Sequence, residues 1–184
     1  DSLPSRGLGD VYKRQALLEE VSGLVEWPVA LLGEVDTAFS DLPAEVLQAS
    51  MKEHQKFFSL KNSKTGKIER FITVANIEAA DNGETILKGN QKVLYARLSD
   101  AKFFWENDIR LIQKDGLDAW RGKLVNVTFH NKLGSQADKV TRVSALTKIL
   151  AKQLLCDIED AVKSANICKS DLASEMVYEF PELQ

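Results

Sequence analysis

The residue types best suited to metal binding and nucleophilic catalysis are sparse in this sequence. It contains two histidines, His54 and His130, and two cysteines, Cys156 and Cys168. Neither histidine has a second ligand three or four residues away, and the cysteines lack a second pair, so no local metal-binding motif is present. A pairing of the two distant histidines stays open. We predict no catalytic residue and no metal site, and the common hydrolase, metalloprotease and nucleotide-binding motifs do not occur.

Basic and aromatic side chains are interleaved in one part of the sequence. The residues are Lys52, Lys56, Phe57, Phe58, Arg70 and Phe71. Proteins that bind single-stranded RNA combine positive charge with flat aromatic surface in this way. The same pattern fits a half-buried hairpin with its aromatic rings inward and its charges outward, and this alternative stays open. Arg97 and Lys102 bracket a second such segment, where aromatic packing would leave the two basic residues on one exposed side.

Composition is typical of a globular protein. The 184 residues include 24 Lys and Arg against 27 Asp and Glu, for a net charge of −3. This balance gives no overall attraction to polyanions, so any nucleic-acid contact must come from local basic patches. No apolar run is long enough for a membrane helix, and the first residues do not resemble a signal peptide. We therefore expect a cytoplasmic protein without a membrane partner.

Hydrophobic periodicity predicts an α+β fold: a small mixed unit with a β-hairpin, followed by an all-helical bundle. The first half contains a helix over 16–26, a strand over 29–32, a helix that Asp41 caps and that runs to about His54, and a hairpin of 56–60 with 70–74 around the turn 62–66. From Asn82 onward the pattern is helical, with 124–129 as the one possible strand. Its clearest helices cover 135–155, 157–165 and 168–178.

Three segments organise the chain. Residues 1–15 fit neither a helical nor a strand period, and Ser5 to Gln15 resembles a translated sequencing adapter, so we predict a leader of artificial origin outside the fold. Residues 16–80 form the mixed unit, and 81–184 form the helical region. The chain looks truncated at both ends.

An ordered set of short motifs resembles the beta subunit of the bacterial heterotetrameric glycyl-tRNA synthetase across nearly all of 16–184. The residues that carry the resemblance are Val25-Glu26-Trp27-Pro28-Val29, Met51-Lys52 with His54-Gln55-Lys56-Phe57-Phe58, Arg70-Phe71-Ile72, Ala75-Asn76-Ile77-Glu78, Gly89-Asn90, Ala96 to Phe104, Phe129-His130 with Lys132-Leu133-Gly134-Ser135, Asp138-Lys139 with Arg142, Lys169 to Leu172, and Glu175 to Gln184 without Tyr178. Each motif alone is weak, but their order is specific. Departures are Gln91, Tyr95 and Ser170, and Tyr95 replaces an arginine that could contact phosphate.

The resemblance implies an enzyme of two subunit types that attaches glycine to tRNA(Gly) at the expense of ATP. The α subunit would hold the active site with ATP and Mg, while the beta subunit positions the tRNA, and this chain would be an interior segment of beta. It implies no cofactor in this chain, which would be inactive alone. Residues 16–80 would be the end of a region similar to an editing domain, and residues 81–184 would be the start of a second, helical domain that is truncated at its C-terminus.

The helical half also resembles HD-type phosphohydrolases, in which an Arg-Val pair precedes a His-Asp metal motif. Arg142-Val143 fits the first part, but Cys168 and Lys169 stand at the second, and a protonated lysine cannot bind a cation. We predict a degenerate HD-like bundle whose basic residues face RNA phosphate or solvent. The full set of candidate tRNA-binding residues is Lys52, Lys56, Arg70, Arg97, Lys102, Lys132, Lys139, Arg142 and Lys169. Two alternatives remain: a metal-dependent HD phosphohydrolase, and a structural module without RNA contact.

Overall fold

The computed structural model describes residues 8–184, except for the side chains of residues 8–14 and His54. In chain order, its helices and strands are α1 (Leu8–Leu24), β1 (Val29–Glu34), α2 (Ala44–Gln55), β2 (Phe58–Lys61), β3 (Ile68–Ala75), α3 (Glu84–Asp115), α4 (Asp118–Lys123), β4 (Thr128–His130), β5 (Gly134–Ser135), α5 (Gln136–Gln153), α6 (Ile158–Ile167) and α7 (Glu175–Glu179). The α+β class predicted from the sequence is confirmed.

Two compact units divide the chain, one ending at Lys102 and the other running from Phe103 to Gln184. The division falls within the long helix α3, whose residues contribute to both units. The first unit contains a three-stranded sheet, and the second is mainly helical with a two-stranded hairpin.

The sheet of the first unit is antiparallel, with β3 between β1 and β2. The predicted hairpin of β2 and β3 is confirmed. Its turn depends on Asn62, whose side-chain oxygen accepts a hydrogen bond from the backbone N–H of Lys64 at 2.9 Å, while its carbonyl accepts one from Gly66 at 2.8 Å. Gly66 has a φ of +70°, which glycine adopts without the steric cost of a side chain.

The aromatic rings of this hairpin form part of the core. Phe57 and Phe71 are buried and stack with ring centroids 4.7 Å apart. Phe71 packs directly against Gly33 on the neighbouring strand, where a Cβ atom would collide with its ring. The structure therefore favours the half-buried hairpin over an aromatic RNA-binding surface at Phe57 and Phe71.

Two local patterns in the first unit differ from prediction. Helix α1 begins at Leu8, inside the segment 1–15 that was predicted to have no helical period, because the stretch after Gly9 contains no helix breaker. The artificial origin of residues 1–15 stays a prediction. Pro43 rather than Asp41 is the N-cap of α2, since Pro43 has an extended backbone and its carbonyl accepts the first helical hydrogen bonds.

Helix α5 of the second unit begins with a capping box at Ser135, the residue at which the sequence predicted the helix to start. The Ser135 hydroxyl accepts a hydrogen bond from the Asp138 N–H at 3.2 Å, and the Asp138 carboxylate accepts one from the Ser135 N–H at 2.8 Å. The helix packs against α6, and its buried residues are Val140 and Ala151.

The end of the chain differs from prediction. Instead of one helix over 168–178, a short 3₁₀ turn (Ser170–Ala173) is followed by Ser174, which caps the separate helix α7. The Ser174 hydroxyl accepts a hydrogen bond from the N–H of Val177 at 3.0 Å, a local alternative to helical pairing that stops the helix from continuing through Ser174.

The helical half is not entirely helical. The predicted possible strand over 124–129 is instead a 3₁₀ turn (Leu124–Asn126) followed by β4, which pairs with β5 in an antiparallel hairpin. Gly134 has a φ of +85° at the start of β5, so the hairpin can turn directly into α5.

Candidate nucleic-acid interface

Three of the predicted basic residues are brought together by the β4–β5 hairpin and the first turns of α5. Lys132 lies in the hairpin turn, and Lys139 and Arg142 lie on the helix that follows. The capping box fixes the direction in which the helix leaves the hairpin. We call the set formed by Phe129, His130, Lys132, Lys139 and Arg142 the hairpin–helix surface.

Two of the four basic side chains of α5, those of Lys139 and Arg142, reach back to the hairpin. The Lys139 ammonium lies 4.2 Å from the ring centroid of Phe129, within the range of a cation–π interaction. The Arg142 guanidinium donates a hydrogen bond to the Leu133 carbonyl at 3.2 Å. These contacts hold two positive charges against one hairpin while leaving Arg142 exposed to solvent.

The hairpin turn itself is ordered by His130. Its Nδ1 accepts a hydrogen bond from the Lys132 N–H at 3.1 Å, and the His130 carbonyl accepts one from the Leu133 N–H at 2.9 Å. Nδ1 is therefore an acceptor and Nε2 can carry a proton and donate outward. Lys132 is exposed, so its ammonium is available to a ligand.

One carboxylate lies among these cations. Hydrogen bonds from the backbone and hydroxyl of Ser135 lower the pKa of Asp138, with a smaller contribution from the Arg142 charge. Asp138 therefore stays ionised and reduces the positive charge of the surface, but its oxygens are directed to the start of α5. The surface thus has three cationic side chains and a histidine, and its one carboxylate is already hydrogen-bonded to Ser135. Such a set can bind a phosphate group.

Lys169 lies at the same end of the α5–α6 pair. Ser144 of α5 donates a hydrogen bond to the Asn166 side-chain oxygen of α6 at 2.7 Å. This contact places the end of α6 beside the first half of α5, and the exposed Lys169 follows three residues later. Lys169 is thus exposed and follows a residue of α6 that contacts the first half of α5.

The candidate residues Lys52, Lys56 and Arg70 of the first unit each form an intramolecular ion pair. The pairs are Lys52 with Glu53 at 2.7 Å, Lys56 with Glu20 at 3.0 Å, and Arg70 with Glu34 at 3.5 Å. Pairs this exposed contribute little to stability, but a phosphate would have to compete with a carboxylate at each. These residues are weaker candidates than those of the hairpin–helix surface.

The remaining two candidates lie on α3. Lys102 donates a hydrogen bond to the Ala38 carbonyl at 2.9 Å, and both Arg97 and Lys102 are half-buried. The predicted arrangement, in which aromatic residues pack and the basic ones are exposed, was wrong here, because Phe103 is 60% exposed. Tyr95 lines a groove of about 460 Å³ with Glu34 and Asp36, and two carboxylates make this groove unsuited to phosphate.

Metal ligands do not converge in the part of the chain that the structure describes. Among its His, Cys, Asp and Glu side chains, no group of three could hold a metal ion. A pairing of His130 with His54 falls on a side chain outside the described residues. Cys156 and Cys168 are free thiols at the surface.

Sequence reasoning missed the role of Phe129, whose ring carries the Lys139 ammonium. The two residues are ten positions apart, and their contact depends on the angle between hairpin and helix. The sequence does contain a usable signal: the aromatic residue Phe129 comes shortly before Gly134-Ser135, where a capped helix with basic residues begins.

Comparison with known proteins identifies the family. Residues 4–184 match the family model described as glycyl-tRNA synthetase beta subunit. The chain is 61% identical over 176 residues to the glycine–tRNA ligase beta subunit of Ruegeria sp. (strain TM1040), and 60% identical over 175 residues to that of Dinoroseobacter shibae (strain DSM 16493 / NCIMB 14021 / DFL 12). Each alignment covers 95% of this chain.

The chain belongs to the glycyl-tRNA synthetase beta subunit family. It spans about a quarter of the length of these relatives, 26% and 24% respectively. None of the helices that the structure describes is both long and apolar enough to cross a membrane.

Proposed function

We propose that this chain is a segment of the beta subunit of glycine–tRNA ligase that helps to position tRNA(Gly) and supports its own subunit. The observation that carries the proposal is the family match over residues 4–184. The whole enzyme, with the α subunit as partner, attaches glycine to tRNA in an ATP-dependent reaction in the cytoplasm. ATP and Mg²⁺ belong to the α subunit in this proposal.

The hairpin–helix surface is the part of the chain best suited to the tRNA backbone. Two of its cations, Lys139 and Arg142, are held in place by contacts to the hairpin. Fixed cations lose little conformational freedom when they bind phosphate, so each contributes more affinity than a mobile lysine. Phe129 adds an exposed apolar ring next to the charge.

The test uses the full-length beta subunit that carries this segment, assembled with the α subunit. Replacing Lys139→Glu together with Arg142→Glu should raise the KM for tRNA(Gly) at least tenfold, because two phosphate contacts become repulsive, while glycine-dependent ATP–pyrophosphate exchange stays unchanged. The salt dependence of tRNA binding should become shallower, by about one in the log–log slope per lost contact.

Lys148→Glu provides the matched control, since Lys148 is exposed on the same helix outside the surface. Circular dichroism establishes that both variants fold. Equal KM values for the double variant and the control would contradict a role of this surface in tRNA positioning.

The two alternatives give different results. A structural module without RNA contact predicts that Lys169→Glu and the double variant leave tRNA binding unchanged at low salt. An HD-type phosphohydrolase predicts manganese-dependent release of phosphate by the chain. Lysine at position 169 in place of a metal-binding carboxylate speaks against the second alternative.

A further inference from the structure

Helix α5 presents a second apolar face that no described residue covers. Val143, Leu146, Leu150 and Leu154 expose 37%, 56%, 45% and 71% of their surface. The sequence predicted one apolar stripe of Val140, Val143, Leu146, Ile149, Leu150 and Leu154, but the structure buries only Val140 of this set, together with Ala151, and leaves Ile149 56% exposed as well. The apolar arc of α5 is therefore wider than the one neighbouring helix can cover.

The spacing of these four residues fits a helix–helix contact. They follow one another at intervals of three, four and four positions, which places them in one row along the helix. Leu155, just beyond the helix end, is 94% exposed. A continuous row of large exposed apolar side chains on a folded protein marks a surface that a partner covers.

We propose that this row is the docking face for an apolar helix from another part of the same beta-subunit polypeptide. The chain spans 26% of the length of the Ruegeria relative, so a polypeptide of that size has about three times as much sequence again from which the helix can come. A segment of the same polypeptide is present at high effective concentration and needs no association step. The inference rests on family membership and does not depend on contact with RNA.

The chemistry of the row defines its partner. The central residues are leucines without a polar atom, so the facing side chains must be aliphatic to avoid burying an unpaired polar group. Lys139 and Arg142 lie near the Val143 end of the row. The docked helix therefore covers the Leu146 to Leu154 portion and leaves the hairpin–helix surface accessible.

Crosslinking in the full-length beta subunit tests the occupant. The photoreactive residue p-benzoylphenylalanine replaces Leu150, and in the control it replaces the neighbouring exposed residue Ala145. After irradiation without the α subunit, mass spectrometry should find position 150 joined within the same polypeptide to residues outside this 184-residue segment, at a yield independent of protein concentration. Position 145 should give at least tenfold less of this product.

A stability measurement provides a second readout. In the full-length subunit, Leu150→Glu should lower the midpoint of thermal unfolding by several degrees, because a carboxylate would be buried against apolar side chains. Ala145→Glu should leave the midpoint unchanged. Crosslinks between two copies, crosslinks that form only with the α subunit, no crosslink, or equal midpoints for the two variants would each overturn the proposal. Unchanged tRNA binding in these variants keeps this outcome separate from the test of the proposed function.

Discussion

Two carboxylates of the second unit organise the starts of helices. Asp138 belongs to the capping box of α5, and Asp108 accepts hydrogen bonds from the N–H groups of Glu175 and Met176 at the start of α7. The first could be predicted from the Ser-x-x-Asp pattern, because the partner is three residues away. The second could not, because Asp108 is 67 residues from Glu175 and only the packing of α3 brings it there.

Asp108 is the more deeply buried of the two carboxylates, with only 4% of its surface exposed. Replacing Asp108→Ala leaves two N–H groups without their acceptor and should lower the free energy of unfolding by about 1–3 kcal/mol. Asp108→Asn keeps one acceptor oxygen and should cost less. Urea denaturation of the three proteins measures the order, and an alanine variant as stable as the parent would refute the anchoring role.

The capping box makes part of the stability dependent on pH. Hydrogen bonds from Ser135 lower the pKa of Asp138 below its ordinary value of 3.8. The stabilisation is therefore complete above that value, where the carboxylate is ionised in folded and unfolded chains alike, and it is lost as the pH falls through the lowered folded pKa. Asp138→Asn should remove this portion of the acid-induced loss.

Urea denaturation at a series of pH values from neutral to 3 measures the effect. The control is Asp100→Asn, which changes an exposed carboxylate on α3. If the control and Asp138→Asn flatten the acid side of the curve equally, the capping box is not its source.

At the scale of elements, the sequence predicted the β2–β3 hairpin, but it did not decide whether the aromatic rings of the hairpin are buried. Alternating apolar residues and the turn after Leu60 predict the hairpin of β2 and β3. The same residues allowed Phe57 and Phe71 to face either RNA or the core. The third strand, β1, together with Gly33 beneath the Phe71 ring, decides that they face the core.

Gly33 provides a test of this packing. In Gly33→Ala, the new methyl group would overlap the Phe71 ring, so the ring or the strand must move, at a cost of about 1–3 kcal/mol of unfolding free energy. Gly23→Ala is the matched control, because a Cβ atom at this position in α1 meets no other atom within 4 Å. It should leave stability unchanged or raise it slightly. Thermal unfolding compares the two, and equal midpoints would show that the close contact is not restrictive.

Helix α5 shows the limit of periodicity as a guide. The pattern correctly predicted the helix and its apolar residues, but it could not tell which apolar positions face a neighbour. The small residue Ala151 is buried, while the larger Leu146 and Leu154 remain exposed. A small side chain allows two helices to approach closely, and this requirement of packing is not visible in a hydrophobic pattern.

At the scale of the whole molecule, the 184-residue chain should be unable to activate glycine by itself. Its described residues contain no group of three potential metal ligands, and its sequence has no recognisable phosphate-binding loop. We expect glycine-dependent ATP–pyrophosphate exchange at the level of a blank with the purified chain, and robust exchange when the full-length beta subunit is combined with the α subunit. Exchange by the chain alone would contradict this prediction, because it would show that the chain itself activates glycine.

The sequence alone determined the α+β class, the family, the β2–β3 hairpin and the capped start of α5, because each depends on local spacing or on ordered motifs. Tertiary structure alone decided which basic residues converge. Lys139 and Arg142 contact the hairpin that carries Lys132 because the β4–β5 hairpin turns directly into α5. Lys56 and Arg70 instead pair with Glu20 and Glu34, which packing brings near them, while Lys52 pairs with its sequence neighbour Glu53. Side-chain charge is written in the sequence, but the direction in which each charge points depends on how the surrounding hairpin, helices and sheet are arranged.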